Sequence, residues 1–373
     1  MKYYPLINRH AAWLVANPIQ GCPNNCKYCF LQSVGGTKVK PEILASPEET
    51  LIALKKSHFY VNDVPVCFFS QTDIGATPIN IQYWNELLDL LSGEHIHNPI
   101  VFITKCKIPL DIINKLSSLI QNGLKIIVYL SYSGLDDSIE GGIRHIEIEK
   151  NFILLKKYGI PVVHYFRPII PQNAEEKKLE EIISFVSTYA MASVVAGLKV
   201  APDFQEFLNF WPEVQNDPEA NKAECVWPDG AKAKLHRLAK KYNHPLFEVN
   251  SCALAHVLNE PERYGFCASS SCNDFSICSD EIKRKCYLDK EKNRLQIDEI
   301  KNKMDSLLTA IYKPINQYSL RLGNNILLVE SLPLTTEEIC YLSGEIHMRI
   351  ESKLIENGNY WNTSVNNKKG VNK

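Results

Sequence analysis

The sequence lacks the features of several protein classes. In its 373 residues, no apolar run approaches the roughly 18 residues that suggest a membrane helix. The opening stretch MKYYPLINRHAAWLVA has no small-residue cleavage site, so we expect no signal peptide and a cytoplasmic protein without a membrane anchor. A net charge of −1 argues against a general nucleic-acid coat. No GxGxxG follows any predicted strand, which disfavours dinucleotide binding.

Cysteine, by contrast, is unusually frequent, at twelve residues. A chain of this length does not need disulfides to stabilise its core, so cysteines without a secretory signal are more typical of metal ligands or catalytic groups. They fall into three sets, which are Cys22, Cys26 and Cys29; Cys252, Cys267, Cys272, Cys278 and Cys286; and the scattered Cys67, Cys106, Cys225 and Cys340.

Residues 12–200 alternate six predicted strands with helices. The strands are placed at 12–16, 64–70, 99–104, 125–131, 161–168 and 193–200. Because most of them are continuous apolar runs, they predict an α/β fold with a parallel sheet. We predict a partial (βα)6 TIM-type barrel with a Cys-rich C-terminal extension; a full eight-fold barrel and a doubly wound open sheet are the alternatives.

This pattern predicts three regions. Residues 1–250 form the barrel, 251–290 form a Cys-rich segment with an auxiliary metal site, and 291–373 form a mixed helical extension. In the last region we expect a strand at 324–331 and a helix at 335–354.

The first cysteine group has the spacing C-x3-C-x2-C in the segment NPIQGCPNNCKYCFLQ. Three thiolates in one short loop are able to hold three irons of a [4Fe–4S] cube, which leaves the fourth iron open to a small molecule. A zinc site or three unrelated thiols are the alternatives. Zinc usually needs a fourth ligand nearby, and no histidine lies between residues 11 and 55.

The loop resembles that of the radical S-adenosylmethionine (radical SAM) superfamily, including the aromatic Tyr28 before the last cysteine. The resemblance extends from residue 12 to about residue 203. It implies that Cys22, Cys26 and Cys29 bind a [4Fe–4S] cluster whose open iron chelates SAM. It also implies reductive cleavage of SAM to a 5′-deoxyadenosyl radical, with an electron donor such as flavodoxin or ferredoxin.

Polar residues stand at the predicted strand ends, where a parallel barrel collects its chemistry. Given the charges of SAM, we expect its ammonium to contact acceptors in the run Ser70, Gln71, Thr72 and Asp73. Lys105 or Arg167 would bind its carboxylate. Ser131 or Ser133 would bind its ribose, for which Glu140 is a further candidate.

Within the superfamily the sequence is most similar to the spore photoproduct lyase-like subgroup. The similar segments are GCPNNCKYCFLQ, SQTD, ITK, SGLDDSIEGGIRH and LLKKYGIPVVHYFRPIIP. By position, the resemblance assigns SAM contacts to Ser70, Lys105 and Ser131. The lyase has a hydrogen-donating cysteine just before its strand-two serine, whereas this chain has Phe69 there. The resemblance therefore specifies fold and cofactor better than substrate.

The second cysteine group suggests another metal site. Cys267, Cys272, Cys278 and Cys286 are spaced to hold a second [4Fe–4S] cluster or a zinc ion, with unligated thiols as a further alternative. Cys252 is left over. It is either a ligand, a catalytic thiol facing the active site, or a buried apolar cysteine in a helix.

These features predict a radical SAM enzyme, of lyase or oxidoreductase class, that abstracts hydrogen from a nucleobase, nucleotide or nucleic acid. We expect Tyr165 and Arg167 among the substrate-facing catalytic residues, because an aromatic ring and a guanidinium suit a base and a phosphate. A peptide-modifying enzyme with an auxiliary cluster is the second hypothesis. A cluster-based redox sensor that binds DNA through the helix at 335–354 is the third.

Overall fold

The computed structural model describes most of the chain. The described residues are 3–94, 96–199, 211–215, 225–263, 276–292, 296–323 and 326–354. They divide into two compact units. Unit 1 comprises Met1–Ile7 and Leu14–Glu248, and unit 2 comprises Asn8–Trp13 and Val249–Lys373.

Unit 1 is built on a parallel sheet. The short strand β1 (Ile7–Arg9) spans the boundary between the two units in the sequence. The strands of unit 1 follow the spatial order β2, β6, β7, β8, β10, β11, β12, and all these neighbours pair in parallel. Their bounds are β2 (Leu14–Ala16), β6 (Val66–Phe68), β7 (Ile100–Thr104), β8 (Ile126–Leu130), β10 (Val162–Ile169), β11 (Ala192–Gly197) and β12 (Leu246–Phe247). The first six correspond to the predicted strands, so the predicted α/β fold with the sheet of a partial TIM-type barrel is confirmed. β12 is a short seventh strand that the sequence pattern did not reveal.

At least one helix lies in sequence between each strand of this sheet and the next, as in the crossover connections of parallel sheets. The bounds of the helices are α1 (Pro47–Lys56), α2 (Pro78–Gly93), α3 (Leu110–Gln121), α4 (His145–Lys157), α5 (Glu176–Tyr189), α6 (Pro212–Gln215) and α7 (Ala231–Lys241). α1 begins at a capping box, in which the Ser46 hydroxyl accepts from the Glu49 amide and the Glu49 carboxylate accepts from the Ser46 amide.

The core of unit 1 lies between the sheet and these helices. Trp84 of α2 is fully buried against Phe102 of β7, with ring centroids 5.2 Å apart. Phe152 of α4 is likewise fully buried. Each such aromatic side chain contributes about 1.5–3 kcal/mol by leaving water, and the packing fixes the strand ends that carry the site.

Short pairings shape the loops at the carboxyl ends of the strands. β3 (Ile19–Gln20) pairs antiparallel with β5 (Glu42–Ile43), and β4 (Asn25–Cys26) pairs antiparallel with β9 (Glu140–Gly141). Single-turn 3-10 helices occupy Phe30–Val34 and Pro171–Asn173.

Unit 2 is helical with a small mixed sheet. Its elements are α8 (Asn250–Leu258), α9 (Asp280–Lys292), α10 (Ile297–Ala310), β13 (Ser319–Gly323), β14 (Ile326–Glu330), α11 (Thr336–Ile346) and β15 (Arg349–Ser352). β14 pairs antiparallel with β13 and parallel with β15.

The helix predicted at 335–354 is wrong in its second half. α11 ends at Ile346 because His347 adopts a left-handed conformation with φ 57°, and the chain then forms β15. The sequence periodicity alone did not reveal this stop, since the position holds neither glycine nor asparagine.

In the described part of the chain, no helix combines the length and apolar character needed to cross a membrane.

Candidate metal and cofactor site

The three cysteines of the first group lie in the loop that follows β2. Cys22 and Cys26 are buried and Cys29 is half-buried. The Cys22 amide donates to the Gly36 carbonyl at 2.8 Å, and the Cys29 amide donates to the Cys26 carbonyl at 3.0 Å. These bonds fold the loop back on itself, and all three thiols lie within residues 22–29 of this folded loop.

The loop is also fastened to the end of the second sheet strand. The Gly21 amide donates to the Gln71 carbonyl at 3.1 Å, and Gly21 itself has φ 91°, a conformation that favours glycine. The cysteine loop and the SQTD run therefore meet at the carboxyl edge of the sheet, as predicted for a barrel active site.

Burial makes the thiols poor acids. It raises the pKa of Cys22 to about 12, of Cys26 to about 11 and of Cys29 to about 12. The charge of Cys26 raises the pKa of both Cys22 and Cys29, whereas the Lys105 ammonium lowers that of Cys26. In the metal-free chain the thiols are therefore protonated at neutral pH, and metal binding must release those protons.

The donor set of the loop fits an iron–sulfur cube. A cube takes one thiolate per iron, so three mutually interacting thiols in a single loop satisfy it.

The first two residues of the SQTD run, which follows β6, are joined by side-chain hydrogen bonds. Ser70 donates to Asn17 Oδ1 at 2.8 Å, and Gln71 Nε2 donates to Ser70 Oγ at 3.1 Å. Gln71 is 4% exposed, and its Oε1 has no hydrogen-bond partner among the described residues. A buried acceptor of this kind is costly unless a ligand satisfies it.

Thr72 and Asp73 instead connect elements of the fold. Thr72 Oγ1 accepts from Asn80 Nδ2 at 3.2 Å. Asp73 accepts from the Thr104 hydroxyl at 2.6 Å with one carboxylate oxygen and from the Lys105 amide at 2.7 Å with the other. Both oxygens of Asp73 are therefore engaged by the next strand, so the carboxylate ties the ends of β6 and β7 together.

Phe69, which takes the place of the lyase cysteine, is buried and lies just beyond the end of β6. Its φ of 67° places a bulky residue in the left-handed region, at a cost of about 1–3 kcal/mol. Its ring packs edge-on against Tyr83 at 5.6 Å.

Lys105 and Glu140 form a buried ion pair, with Lys105 Nζ 2.6 Å from Glu140 Oε1. The other carboxylate oxygen accepts from Ser133 at 2.6 Å and contacts His145 Nε2 at 2.8 Å. Tyr28 donates its hydroxyl to the same carboxylate. Burial alone would raise the pKa of Glu140, but the Lys105 charge and the hydrogen bonds from His145, Lys105 and Ser133 lower it to about 2.

Ser131 and Ser133, the two serines that follow β8, differ in their surroundings. Ser131 is 5% exposed, and its amide donates to the Thr104 carbonyl at 2.9 Å. Ser133 is fully buried and its hydroxyl is directed to Glu140. Ser133 thus supports the carboxylate that holds Lys105.

Tyr165 and Arg167 lie on β10, two residues apart and hence on one face of the sheet. Both are half-buried. Arg167 Nη1 donates to the Tyr165 hydroxyl at 2.7 Å, and its guanidinium lies 5.2 Å from the Tyr165 ring centroid. Tyr129 of β8 packs edge-on against Tyr165 at 5.5 Å, so this face carries two aromatic rings and a cation.

A family model described as the Radical SAM superfamily matches residues 16–186. The chain contains a radical SAM domain. Members of this superfamily are enzymes that use a [4Fe–4S] cluster and SAM, and the matched segment holds the cysteine loop and the polar ends of β6, β7 and β8.

Solved structures of radical SAM enzymes are similar to the chain. A spore photoproduct lyase variant with bound AdoMet and dinucleoside spore photoproduct shares 13% identity, with 61% of this chain and 72% of that chain covered and a TM-score of 0.49. SuiB of Streptococcus suis bound to S-adenosylmethionine shares 12% identity, covering 61% and 46% of the respective chains with a TM-score of 0.41. No curated protein sequence matches the chain.

The second cysteine group is only partly described, and it lies outside the matched radical SAM segment. Cys252 is buried in α8. Cys278 and Cys286 are half-buried, and the Glu262 amide donates to Cys286 Sγ at 3.2 Å. Cys267 and Cys272 lie outside the described residues, so the predicted second metal site stays a prediction.

Three residues of the radical SAM domain are more central than the sequence suggested. The sequence suggests Glu140 only as a further ribose candidate and His145 only as one of several side chains able to hold a base or phosphate, and it does not single out Asn17, yet all three bond to predicted site residues or to each other. The sequence signal for Glu140 is its position inside the loop segment SGLDDSIEGGIRH. If this carboxylate is buried, it requires cationic or hydroxyl partners from other parts of the chain.

Proposed function

We propose that this radical SAM enzyme binds its [4Fe–4S] cluster through Cys22, Cys26 and Cys29 and abstracts hydrogen from a nucleobase, nucleotide or nucleic acid. The observation that carries the proposal is the loop itself, which carries three mutually interacting thiols and is hydrogen-bonded through the Gly21 amide to the Gln71 carbonyl at the carboxyl edge of a parallel sheet. When bound, the cluster supplies the electron that cleaves SAM into methionine and the 5′-deoxyadenosyl radical.

For SAM binding, the hydrogen bonds distinguish predicted residues that are able to contact SAM from those that connect elements of the fold. In the SQTD run, Gln71 Oε1 is a buried acceptor without a donor among the described residues. The SAM ammonium supplies such a donor. Asp73 has no such role in this proposal, because its carboxylate accepts from Thr104 and the Lys105 amide and so ties the ends of β6 and β7 together.

Lys105 contributes one further donor. An ammonium has three N–H groups, and Glu140 and Tyr28 accept two of them. The third is left for the SAM carboxylate, and Ser131, which follows the neighbouring strand, would bind the ribose.

The nucleobase preference is supported by the β10 face. The half-buried Tyr165 offers a ring for stacking, which the fully buried Tyr129 supports from behind, and the Arg167 guanidinium is able to bind a phosphate or the edge of a base. In this proposal the barrel keeps water away from the radical while these side chains orient the substrate.

A peptide substrate is the second candidate. It is favoured by the cysteines of unit 2, where Cys278 and Cys286 remain partly accessible to a metal. Cys267, Cys272, Cys278 and Cys286 would then bind an auxiliary cluster or zinc, with Cys252 either replacing one of them or remaining a separate thiol.

A DNA-binding redox sensor receives little support. Nine of the residues in α11 are buried, from Thr336 to Ile346, and they include Ile339, Tyr341 and Leu342. A recognition helix needs an exposed face to enter the major groove, and α11 uses most of its surface for packing.

Anaerobic purification with metal analysis tests the proposal. The wild type is compared with a Cys22/Cys26/Cys29→Ala triple variant and with Cys225→Ala as a matched control, and each is assayed for 5′-deoxyadenosine from SAM under reductant. We expect product from the wild type and the control but not from the triple variant. A wild type that never yields 5′-deoxyadenosine contradicts the proposal, and a triple variant that keeps iron or zinc identifies the metal of the second site. Competition by nucleotides against short peptides then separates the two substrate classes.

A further inference from the structure

Glu140 is joined to the cysteine loop by its backbone. Cys26 stands opposite Glu140 in the pairing of β4 with β9, and Asn25 stands opposite Gly141. The Lys27 amide extends this pairing by donating to the Ile139 carbonyl at 3.0 Å. The middle of the cysteine loop is thus one strand of a two-stranded ribbon whose other strand lies in the β8–α4 loop.

The carboxylate of Glu140 makes a second set of connections. Its Oε1 contacts Lys105 Nζ and the Tyr28 hydroxyl, and its Oε2 contacts Ser133 and His145. A carboxylate has about four acceptor positions, and these four donors fill them. Glu140 is 1% exposed, so its carboxylate is shielded from water.

Such a buried ion pair contributes little to the free energy of unfolding, because desolvation offsets most of the attraction between the charges. It does fix the positions of the two side chains, since removing one partner leaves the other charge buried without compensation. Glu140 holds three segments in one arrangement: the loop at Tyr28, the strand end at Lys105, and its own loop from Ser133 to His145.

We propose that Glu140 is a positioning residue for the cysteine loop, holding Cys26 through its backbone and the flanking Tyr28 and Lys105 through its carboxylate. This inference rests on the proposed function only for what the loop binds. The position of the loop is a property of the metal-free chain and is testable there.

The test is hydrogen exchange of the metal-free chain, followed by mass spectrometry of the peptide that spans residues 22–31. Glu140→Gln is compared with Glu147→Gln, a matched control on α4 whose carboxylate pairs with Lys150 at 3.0 Å and does not touch the loop. We expect exchange in the loop peptide to rise about tenfold or more in Glu140→Gln, as the loss of charge-assisted hydrogen bonds implies. Exchange of the β8 peptide, residues 126–130, should stay unchanged. Loop exchange equal to that of the wild type overturns the inference.

A double variant keeps the test decisive if Glu140→Gln folds poorly. Glu140→Gln with Lys105→Met leaves no buried charge uncompensated, so we expect it to fold while its loop still exchanges about tenfold faster. Slow loop exchange in the double variant would show that Glu140 merely neutralises Lys105, and it would overturn the inference.

Metal loading supplies a further readout. After anaerobic reconstitution, Glu140→Gln should bind less iron per chain than Glu147→Gln, and the spectrum of its reduced cluster should change on adding SAM less than that of the control. If the wild type makes no 5′-deoxyadenosine, the proposed function fails while the exchange result stands. If loop exchange is unaffected but the wild type is active, this inference fails and the proposed function stands.

Discussion

His164 makes the stability of unit 1 depend on pH in a way that its hydrogen bonds specify. The ring is fully buried on β10, where Nε2 lies 2.8 Å from the Tyr132 carbonyl and Nδ1 lies 2.8 Å from Ser193 Oγ. Because a carbonyl only accepts, Nε2 must carry the proton and Nδ1 must accept from Ser193. Ser193 Oγ in turn is 2.8 Å from His244 Nε2. This chain of bonds holds His164 in its neutral form.

Burial, opposed by the bond to Tyr132 and assisted by His244, lowers the pKa of His164 from 6.5 to about 3. The unfolded chain therefore binds a proton near pH 6.5 that the folded chain refuses until about pH 3. Stability is fully present above pH 6.5 and falls as the pH drops through this window. Between pH 7 and pH 5 the loss from this residue amounts to about 2 kcal/mol, as an order of magnitude.

The perturbation is His164→Gln, which keeps an amide donor for Tyr132 but does not titrate. Urea unfolding of the metal-free chain under reducing conditions, at pH 7, 6 and 5, gives the free energy of unfolding for both proteins. The variant should be less stable at pH 7 by about 1–3 kcal/mol, because the ring packing and one hydrogen bond are lost. Its stability should then fall between pH 7 and pH 5 by about 2 kcal/mol less than that of the wild type. Parallel pH profiles for the two proteins would refute the reasoning.

Three further predictions concern the site and the sheet. Gln71→Leu should weaken SAM binding to the cluster-loaded protein about tenfold, measured by anaerobic equilibrium binding, since one charge-assisted bond is worth about 1.5 kcal/mol or more; unchanged affinity would remove Gln71 from the SAM site. Gly197→Ala should lower the thermal midpoint sharply, because the new Cβ would lie 2.1 Å from the Val226 carbonyl oxygen, whereas Gly93→Ala, with nothing within 4 Å, should not. Asp73→Asn should cost about 1–3 kcal/mol of unfolding free energy and reduce iron loading, because an amide nitrogen replaces one of two engaged acceptors; full stability with normal loading would argue against its connecting role.

The sequence was sufficient to predict the parts of the site whose signal is local. The C-x3-C-x2-C spacing lies within one loop, and the polar residues at 70–73 directly follow an apolar strand. The apolar runs also predicted six of the strands in the parallel sheet, because most residues of each strand are buried.

The parts that sequence reasoning missed depend on partners far apart in the chain. Asp73 stands in the SQTD run, and the sequence does not reveal that its two carboxylate oxygens accept from Thr104 and the Lys105 amide, about thirty residues away. Glu140 reads as a loop residue until Lys105 and Tyr28 are placed beside it. No periodicity encodes such contacts, because they arise only when strands from different repeats become neighbours.

The pairing of the cysteine loop with the β8–α4 loop has a consequence for how the protein is made. Tyr28 and Glu140 are 112 residues apart in sequence. At synthesis rates of about 5–20 residues per second, the cysteines leave the ribosome roughly 6–22 seconds before the strand that shapes their loop. During that interval the thiols are unburied, and their pKa values have not yet been raised. Newly made chains are therefore most open to oxidation or to capture of the wrong metal before residue 145 has emerged, and iron delivery after that point meets a loop that is already formed.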